Sequence, residues 1–355
     1  MRKNQVFWGS LFLLTVGLNL AARLVPGFAE WYAGHIYPLI VGSFARFCSL
    51  VPFSVAEILL YALLLSFLAG LLLILVRRLS VRRAVPVLAK TVIALCLMFT
   101  LNCGINYHRQ TFSERAGFEL QESSVEELRA LCEKLAEELN EAAGAIHVDA
   151  EGHMMLEENV EAEAAEAMQA AAEEYPELAG YYPKAKKVLG SWLLSYQQLQ
   201  GIYSPFTLEA NYNGDMPAQD IPSAICHELS HLKGFMREDE ANFIAYLACR
   251  ASDSAAFRYS GAMLAWIYSG NTLYKQDPQS FREVRSELCE QAVRDLEDHN
   301  AYWNSYEGTA AEVADKINDT YLRANAQDDG TRSYGRMVDL LLAWNRERGA
   351  ENGTD

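Results

Sequence analysis

Apolar residues are arranged in two different ways along this chain. Up to residue 106 they form long runs, at 6–22, 55–76 and 85–105. Each run is close to the roughly 20 residues that a helix needs to cross a hydrocarbon core. Beyond residue 106 the runs end. Apolar residues then recur every three or four positions, the spacing of helices that bury one face. Val125, Leu128, Leu131, Leu135 and Leu139 follow this period, and Ser124-Val-Glu-Glu127 before them reads as a capping box. Further helices are predicted over 157–174, 184–199, 238–249, 256–268, 278–300, 309–325 and 334–346. Residues 144–155 read as a loop or short hairpin. Asp328-Asp329-Gly330 reads as a turn, and 349–355 as a disordered polar tail.

One stretch breaks the helical period. Residues 201–212, Gly-Ile-Tyr-Ser-Pro-Phe-Thr-Leu-Glu-Ala-Asn-Tyr, are β-branched and aromatic with a proline inside. That composition predicts an edge strand or an irregular extended segment. The expected fold class is therefore mainly α: N-terminal transmembrane helices, then a predominantly helical domain over 107–348 with a small β element.

Charge sharpens the division. Residues 1–106 hold two acids, Glu30 and Glu57, against nine Lys and Arg, whereas 107–355 hold 44 acids against 21 bases. An acidic surface excludes nucleic acid as the natural partner. In the membrane part, Arg77, Arg78, Arg82 and Arg83 form the densest basic loop, which the positive-inside bias puts in the cytoplasm together with Arg2 and Lys3. Two spans must then separate the N-terminus from that loop. The short apolar stretch 36–51, which carries Arg46 and ends at Pro52, is accordingly read as interfacial or re-entrant. Three spans put the domain after residue 106 outside the cytoplasm. The seven cysteines show no CxxC spacing and read as small buried hydrophobes.

The chemistry is concentrated at Ser223-Ala-Ile-Cys-His-Glu-Leu-Ser-His-Leu-Lys-Gly234. Positions i and i+4 of a helix lie one above the other, so His227 and His231 can share a metal ion, with Glu228 beside them to take a proton from water. Ile225, Cys226, Leu229 and Leu232 give the same helix an apolar face. Pro222 suits its first turn and Gly234 its end. Two histidines and a glutamate on a buried helix need a partner, and a metal supplies one. Catalytic zinc usually takes three protein ligands. Glu238 and Glu240 are the candidates for the third, and on a helix they point about 200° apart. Asn242 lies at i+4 from Glu238, where its amide could orient a ligating histidine, and this favours Glu238. Asp239 reads as a helix-dipole acid. Tyr203, Tyr259, Tyr268 and His299 are candidates to stabilise an oxyanion.

His227-Glu-Leu-Ser-His231 followed by Glu238-x-x-Ala241-Asn242 resembles the gluzincin pattern, with a shorter spacing to the glutamate than most gluzincins have. The compact turn is closer to metzincins, whose third histidine would fall at Arg237. Tyr37-Pro38, Val51-Pro-Phe-Ser54, Asn106-Tyr107-x-Arg109, the segment 234–243 and Ser333-Tyr-Gly335 together resemble an uncharacterised bacterial family of three-span, zincin-like membrane proteins. That resemblance implies a peptidase-like fold and brings no substrate. The expectation is a membrane-anchored zinc metallopeptidase with Glu228 as the catalytic base and His227, His231 and Glu238 as metal ligands. It would act on a peptide or protein substrate outside the cytoplasm, anchored in the lipid bilayer of a bacterial cell. The alternatives are a non-catalytic sensor or scaffold of the same fold, and a zinc hydrolase for a cell-wall or other amide.

Overall fold

The three apolar runs are helices: Arg2–Leu24, Val55–Leu75 and Val81–Phe99. The last continues through a π-helical turn at Thr100–Gly104 to His108. In this computed structural model, which describes residues 2–325, 327, 330 and 336–352, these three are long and apolar enough to cross a membrane. The stretch expected to be interfacial is a pair of short helices, Tyr37–Ile40 and Arg46–Cys48, joined by a π-helical turn at Val41–Ala45.

The chain divides into two compact units. The first runs to Arg109 and includes Ser204–Glu209; the second holds Gln110–Tyr203 and the described residues from Ala210 onward. The first unit thus ends at 109, against an expected boundary at 106, and no residue pattern marked the inserted segment 204–209. Local hydrogen bonds explain the grouping. The Glu209 carboxylate accepts from the backbone N–H groups of Val55 (3.2 Å) and Ala56 (2.7 Å), and the Asn102 amide donates to the Pro205 carbonyl at 2.6 Å. The first N–H groups of a helix have no partner within it, so a carboxylate there satisfies two at once. Two polar pairs lie inside this unit. Asn19 donates to Thr100 between the first and third helices at 2.8 Å, and Tyr61 donates to the buried Glu57 at 2.7 Å.

The second unit is mainly helical around a single apolar core. Ser124 and Glu127 form the expected capping box at the start of Val125–Ala143, and Leu128, Leu131, Leu135 and Leu139 are buried. Helix Val160–Glu174 also lies where the period predicts it. An isolated antiparallel bridge, Val148 with Met154, closes the loop between them. Thr309–Ala324 and Met337–Asn352 are helical, the latter continuing past Gly349, where a polar tail is expected. The Ser333-Tyr-Gly335 motif, the Asp328-Asp329 turn and the expected helix start at Tyr334 lie outside the described residues.

Two helical expectations are corrected. Over 184–199 the chain instead makes a short strand, β1 (Lys186–Lys187), and then a helix at Ser191–Tyr196. Strand β1 pairs in parallel with β3 (Glu209–Tyr212), Lys186 opposite Asn211 and Lys187 opposite Tyr212. That distant partner outweighs local helix propensity. The helix expected over 278–300 is broken into Pro278–Arg285 and Glu290–Ser305. Asn140 holds the break open, accepting from the Cys289 N–H (2.7 Å) and donating to the Glu287 carbonyl (2.8 Å).

The sheet has the order β1-β3-β2, with β2 at Gly201–Ser204. Residues 205–208 link β2 to β3 as a hairpin, so the proline falls in the turn. Among the described residues β2 is an edge strand of this sheet.

Candidate metal centre

The motif helix runs from Ile221 to Leu232, with Pro222 in its first turn. Ile225, Cys226, Leu229 and Leu232 are fully buried, which fixes the rotation of the helix and turns His227 and His231 the other way. Gly234, in the left-handed region at φ 95°, ends the segment. Four residues later the ligand helix, Glu238–Ala251, begins. It packs closely on the motif helix.

Three side chains converge between these helices. The ligand atoms of His227, His231 and Glu238 lie within 4.8 Å of one another, and among the described residues this is the one group of three that could hold a metal ion. Glu238 Oε2 is 3.1 Å from His227 Nε2 and 3.5 Å from His231 Nε2. Ligand atoms about 2.0–2.1 Å from a tetrahedral zinc stand roughly 3.4 Å apart, so the spacing fits such an ion. Both imidazoles are oriented from behind. His227 Nδ1 lies 2.8 Å from Asn242 Oδ1, and His231 Nδ1 lies 2.8 Å from the Phe235 carbonyl. With each Nδ1 donating its proton to oxygen, the two Nε2 atoms face Glu238 and are the ones that would bind an ion there.

Glu240 is turned elsewhere. Its carboxylate accepts from the Phe112 N–H at 2.8 Å. Asp239 pairs with Arg237 at 3.4 Å.

A model of one protein family matches residues 32–342. The chain belongs to DUF3810, a family described as protein of unknown function. No curated protein and no solved structure matches it. The DUF3810 match includes the second and third apolar helices and all three residues of the cluster, and begins after the first apolar helix.

The electrostatics of the DUF3810 cluster follow from its burial. Desolvation pushes the Glu228 carboxyl up to about 6, against the pull of the two histidines. Its Oε2 is buried and makes no hydrogen bond among the described residues. On His231 burial works downward, but the Glu238 and Glu228 carboxylates outweigh it and push the imidazole up to about 9. Burial works upward on Glu238, yet His231 and His227 hold it well below the usual carboxylate range. Without a metal the cluster is thus held together by a shared proton. A divalent cation can take that proton's place.

Strand β2 runs against the other side of the base. The Tyr203 N–H donates to the Glu228 carboxylate. A Cβ at Gly201 would lie 2.6 Å from Glu228 Oε1 and 2.8 Å from the Asn211 carbonyl, so the approach requires glycine there. The sequence reading missed this role, although a glycine opening a β-branched run just ahead of the motif was its trace. Of the four oxyanion candidates, two border the cluster. The Tyr203 ring centroid is 6.4 Å from that of His231. The Tyr268 phenol, pushed up to about 12 by burial, has the Asn242 amide and the Glu238 carboxylate beside it. The Tyr259 hydroxyl is engaged by the buried Asp295 at 2.6 Å. His299 is bound to Asp220 at 2.8 Å.

Proposed function

We propose that this protein is a membrane-anchored, zinc-dependent peptidase of zincin type. The observation that carries the reading is the convergence of His227, His231 and Glu238 beside a buried, partly unpaired Glu228. Zinc held by those three residues would supply a Lewis acid for the scissile carbonyl and make a water acidic enough to ionise near neutral pH. Glu228 then accepts the water's proton and passes it to the leaving amine. A carboxyl raised to about 6 is suited to both steps, since it exchanges its proton near neutrality. Asn242 and the Phe235 carbonyl keep the imidazoles in the ligating tautomer. Tyr268 is the favoured donor to the developing oxyanion, because its hydroxyl lies among Asn242 and Glu238 while that of Tyr259 is already spent. The basic loop at Arg77–Arg83 orients the catalytic unit outside the cytoplasm.

The test uses the full chain purified in detergent. Metal analysis should return one zinc per chain. A randomised fluorogenic peptide library should be cleaved, and a chelator should stop the cleavage. Glu228→Gln should lower turnover by roughly 10²–10⁴-fold while zinc stays bound. A zinc-free chain, or a Glu228→Gln variant as active as the parent, would end the reading. Zinc without peptide cleavage would leave the amide-hydrolase alternative. A C-terminal reporter that is active only in the cytoplasm should be silent.

A further inference from the structure

We propose that the groove between the first and third apolar helices holds one phospholipid. An acyl chain lies along the groove, an ester carbonyl accepts from the Thr100 hydroxyl, and the phosphate pairs with Arg23. Such a site needs only the first unit in a bilayer and is independent of the peptidase reading.

The groove lies within the first unit and has a volume of about 520 Å³. Clefts of roughly 300–1,000 Å³ are the ones that take small ligands. Phe12 and Asn19 line it from the first helix, Val92, Cys96 and Thr100 from the third, and Phe206 from the inserted segment. The lining is apolar apart from a few polar side chains, among them Asn19 and Thr100. The Asn19 amide spends both its protons, on the Thr15 carbonyl at 2.9 Å and on the Thr100 hydroxyl oxygen at 2.8 Å.

Thr100 is left with a proton to give. Thr15 and Thr91, on the same two helices, each donate to the carbonyl four residues back, at 2.9 and 3.2 Å. A π-helical turn begins at Thr100, and its hydroxyl makes no such bond. That hydroxyl accepts from Asn19 and has no acceptor of its own among the described residues. Thr100 is only 2 % exposed, so a donor is held inside an apolar groove where only a ligand can complete it. Single π-turns inside α-helices are often found at such places.

Charge identifies the rest of the ligand. At about 100° per residue, Asn19 and Arg23 both fall within about 20° of the direction of Phe12. Arg23 stands about 6 Å beyond Asn19 along the axis, and Phe12 about 10 Å before it, at about 1.5 Å per residue. The stripe thus runs from an apolar groove through a polar pair to a cation at the last turn of the helix. Arg23 is exposed and pairs with no carboxylate among the described residues. The acids of this unit are engaged elsewhere: Glu30 with Arg109 at 4.0 Å, Glu57 with Tyr61, and Glu209 with the N–H groups of Val55 and Ala56. Tail, ester and phosphate follow one another in the same order in a phospholipid, the last two across an interfacial layer about 5–8 Å thick.

The test is native mass spectrometry of the full chain released from detergent. It is titrated with dioleoyl phosphatidylglycerol, or with dioleoylglycerol, which has the same chains and ester carbonyls and no phosphate. The parent chain should take up one phosphatidylglycerol saturably, and bind dioleoylglycerol more weakly. Arg23→Gln should weaken phosphatidylglycerol about fivefold, the worth of one basic side chain at a membrane surface, and leave dioleoylglycerol unchanged. Arg23→Lys should recover most of that loss. Thr100→Val removes the hydroxyl at nearly constant shape and should weaken both lipids about fivefold. Cys96→Trp fills the groove and should lower both more than tenfold. Arg23 is exposed, so its variants keep the proposal open to refutation even where a groove variant fails to fold. Lipid copies that add one after another without saturation would mark ordinary solvating lipid and overturn the proposal. So would an equal loss of both lipids in Arg23→Gln, or unchanged binding by a folded Cys96→Trp chain. A chain that holds no zinc and cleaves no peptide would end the peptidase reading and leave this test intact.

Discussion

Leu65 and Leu229 are the same residue on helices of opposite design. Leu65, on the second apolar helix, is 66 % exposed, while Leu229, between the two histidines of the motif, is fully buried. None of the most apolar stretch of Val55–Leu75 is covered by protein. The polar groups differ in the same sense. In the first unit two of them pair across or along its helices, Asn19 with Thr100 and Tyr61 with Glu57. In the second unit three ionisable groups are crowded into one buried place, where no pairing satisfies all of them. The first unit presents a surface that acyl chains could cover, and the second a cluster that a cation could fill. An apolar surface with no protein over it and a polar cluster with no full set of partners are therefore informative for the same reason. Each names the chemistry of what must cover it.

The sharpest way to break this comparison is at the cluster. Glu238→Ala removes the oxygen that lies within 3.5 Å of both imidazoles, and zinc should no longer bind at micromolar concentration. Glu240→Ala should keep one zinc per chain. It should instead lower stability by about 1–3 kcal/mol, because the Phe112 N–H loses its acceptor. Metal analysis and denaturant unfolding of the two variants would exchange these roles if the assignment were wrong.

The leucines come next. Leu229→Ala should cost about 2–5 kcal/mol in unfolding of the second unit, since it leaves a cavity in a packed core. Leu65→Ala should cost roughly 0.5 kcal/mol, measured as membrane insertion, because lipid refills the space. Equal costs would mean that Leu65 packs against protein. Below these lies Asn242→Ala. It frees His227 to rotate and should weaken zinc about 10–100-fold, read by chelator competition, without changing the stoichiometry at saturating metal.

These effects also mark what could be read before any coordinates. The choice of Glu238 over Glu240 rested on the step of the helix and on Asn242 one turn further on, and the coordinates bring those two residues to the histidines. Local period decides such questions, because residues four apart on a helix meet whatever surrounds them. The three apolar helices were legible for a similar reason: a run of that length needs no tertiary partner to be recognised. What could not be read depends on distant partners. Lys186 and Lys187 form a strand because residues 211 and 212 are beside them. The break at 286–289 is held by Asn140, nearly 150 residues away in sequence. Asp220 as the partner of His299, and the grouping of Ser204–Glu209 with the first unit, are contacts of the same kind. Resemblance to zincins entered through the motif and a few short segments along the chain, and the DUF3810 match adds no activity to it.

The last effect is a change of slope with pH. In the metal-free chain His231 is pushed up to about 9 by the Glu238 and Glu228 carboxylates, which outweigh its burial. A group whose pKa is raised on folding stabilises the folded state fully below its unfolded value, about 6.5 for histidine, and loses that contribution as pH rises through the folded value. Between pH 7 and 8 the unfolded chain has largely released this proton and the folded chain has kept it. Stability of the metal-free chain should therefore fall, by at most about 1.4 kcal/mol per pH unit for one proton. Glu238 does not oppose this change, because its shift is downward and it titrates far below the window. With zinc the slope should flatten. The ion must displace the proton from His231, so its apparent affinity should rise by up to about tenfold over the same pH unit, which offsets the loss seen in the metal-free chain and leaves the loaded chain nearly independent of pH in this window. Thermal unfolding at pH 7 and 8, with and without zinc, reads both slopes. Parallel slopes would show that the metal does not compete for the imidazole nitrogens, and the cluster would then lose its claim to be the site.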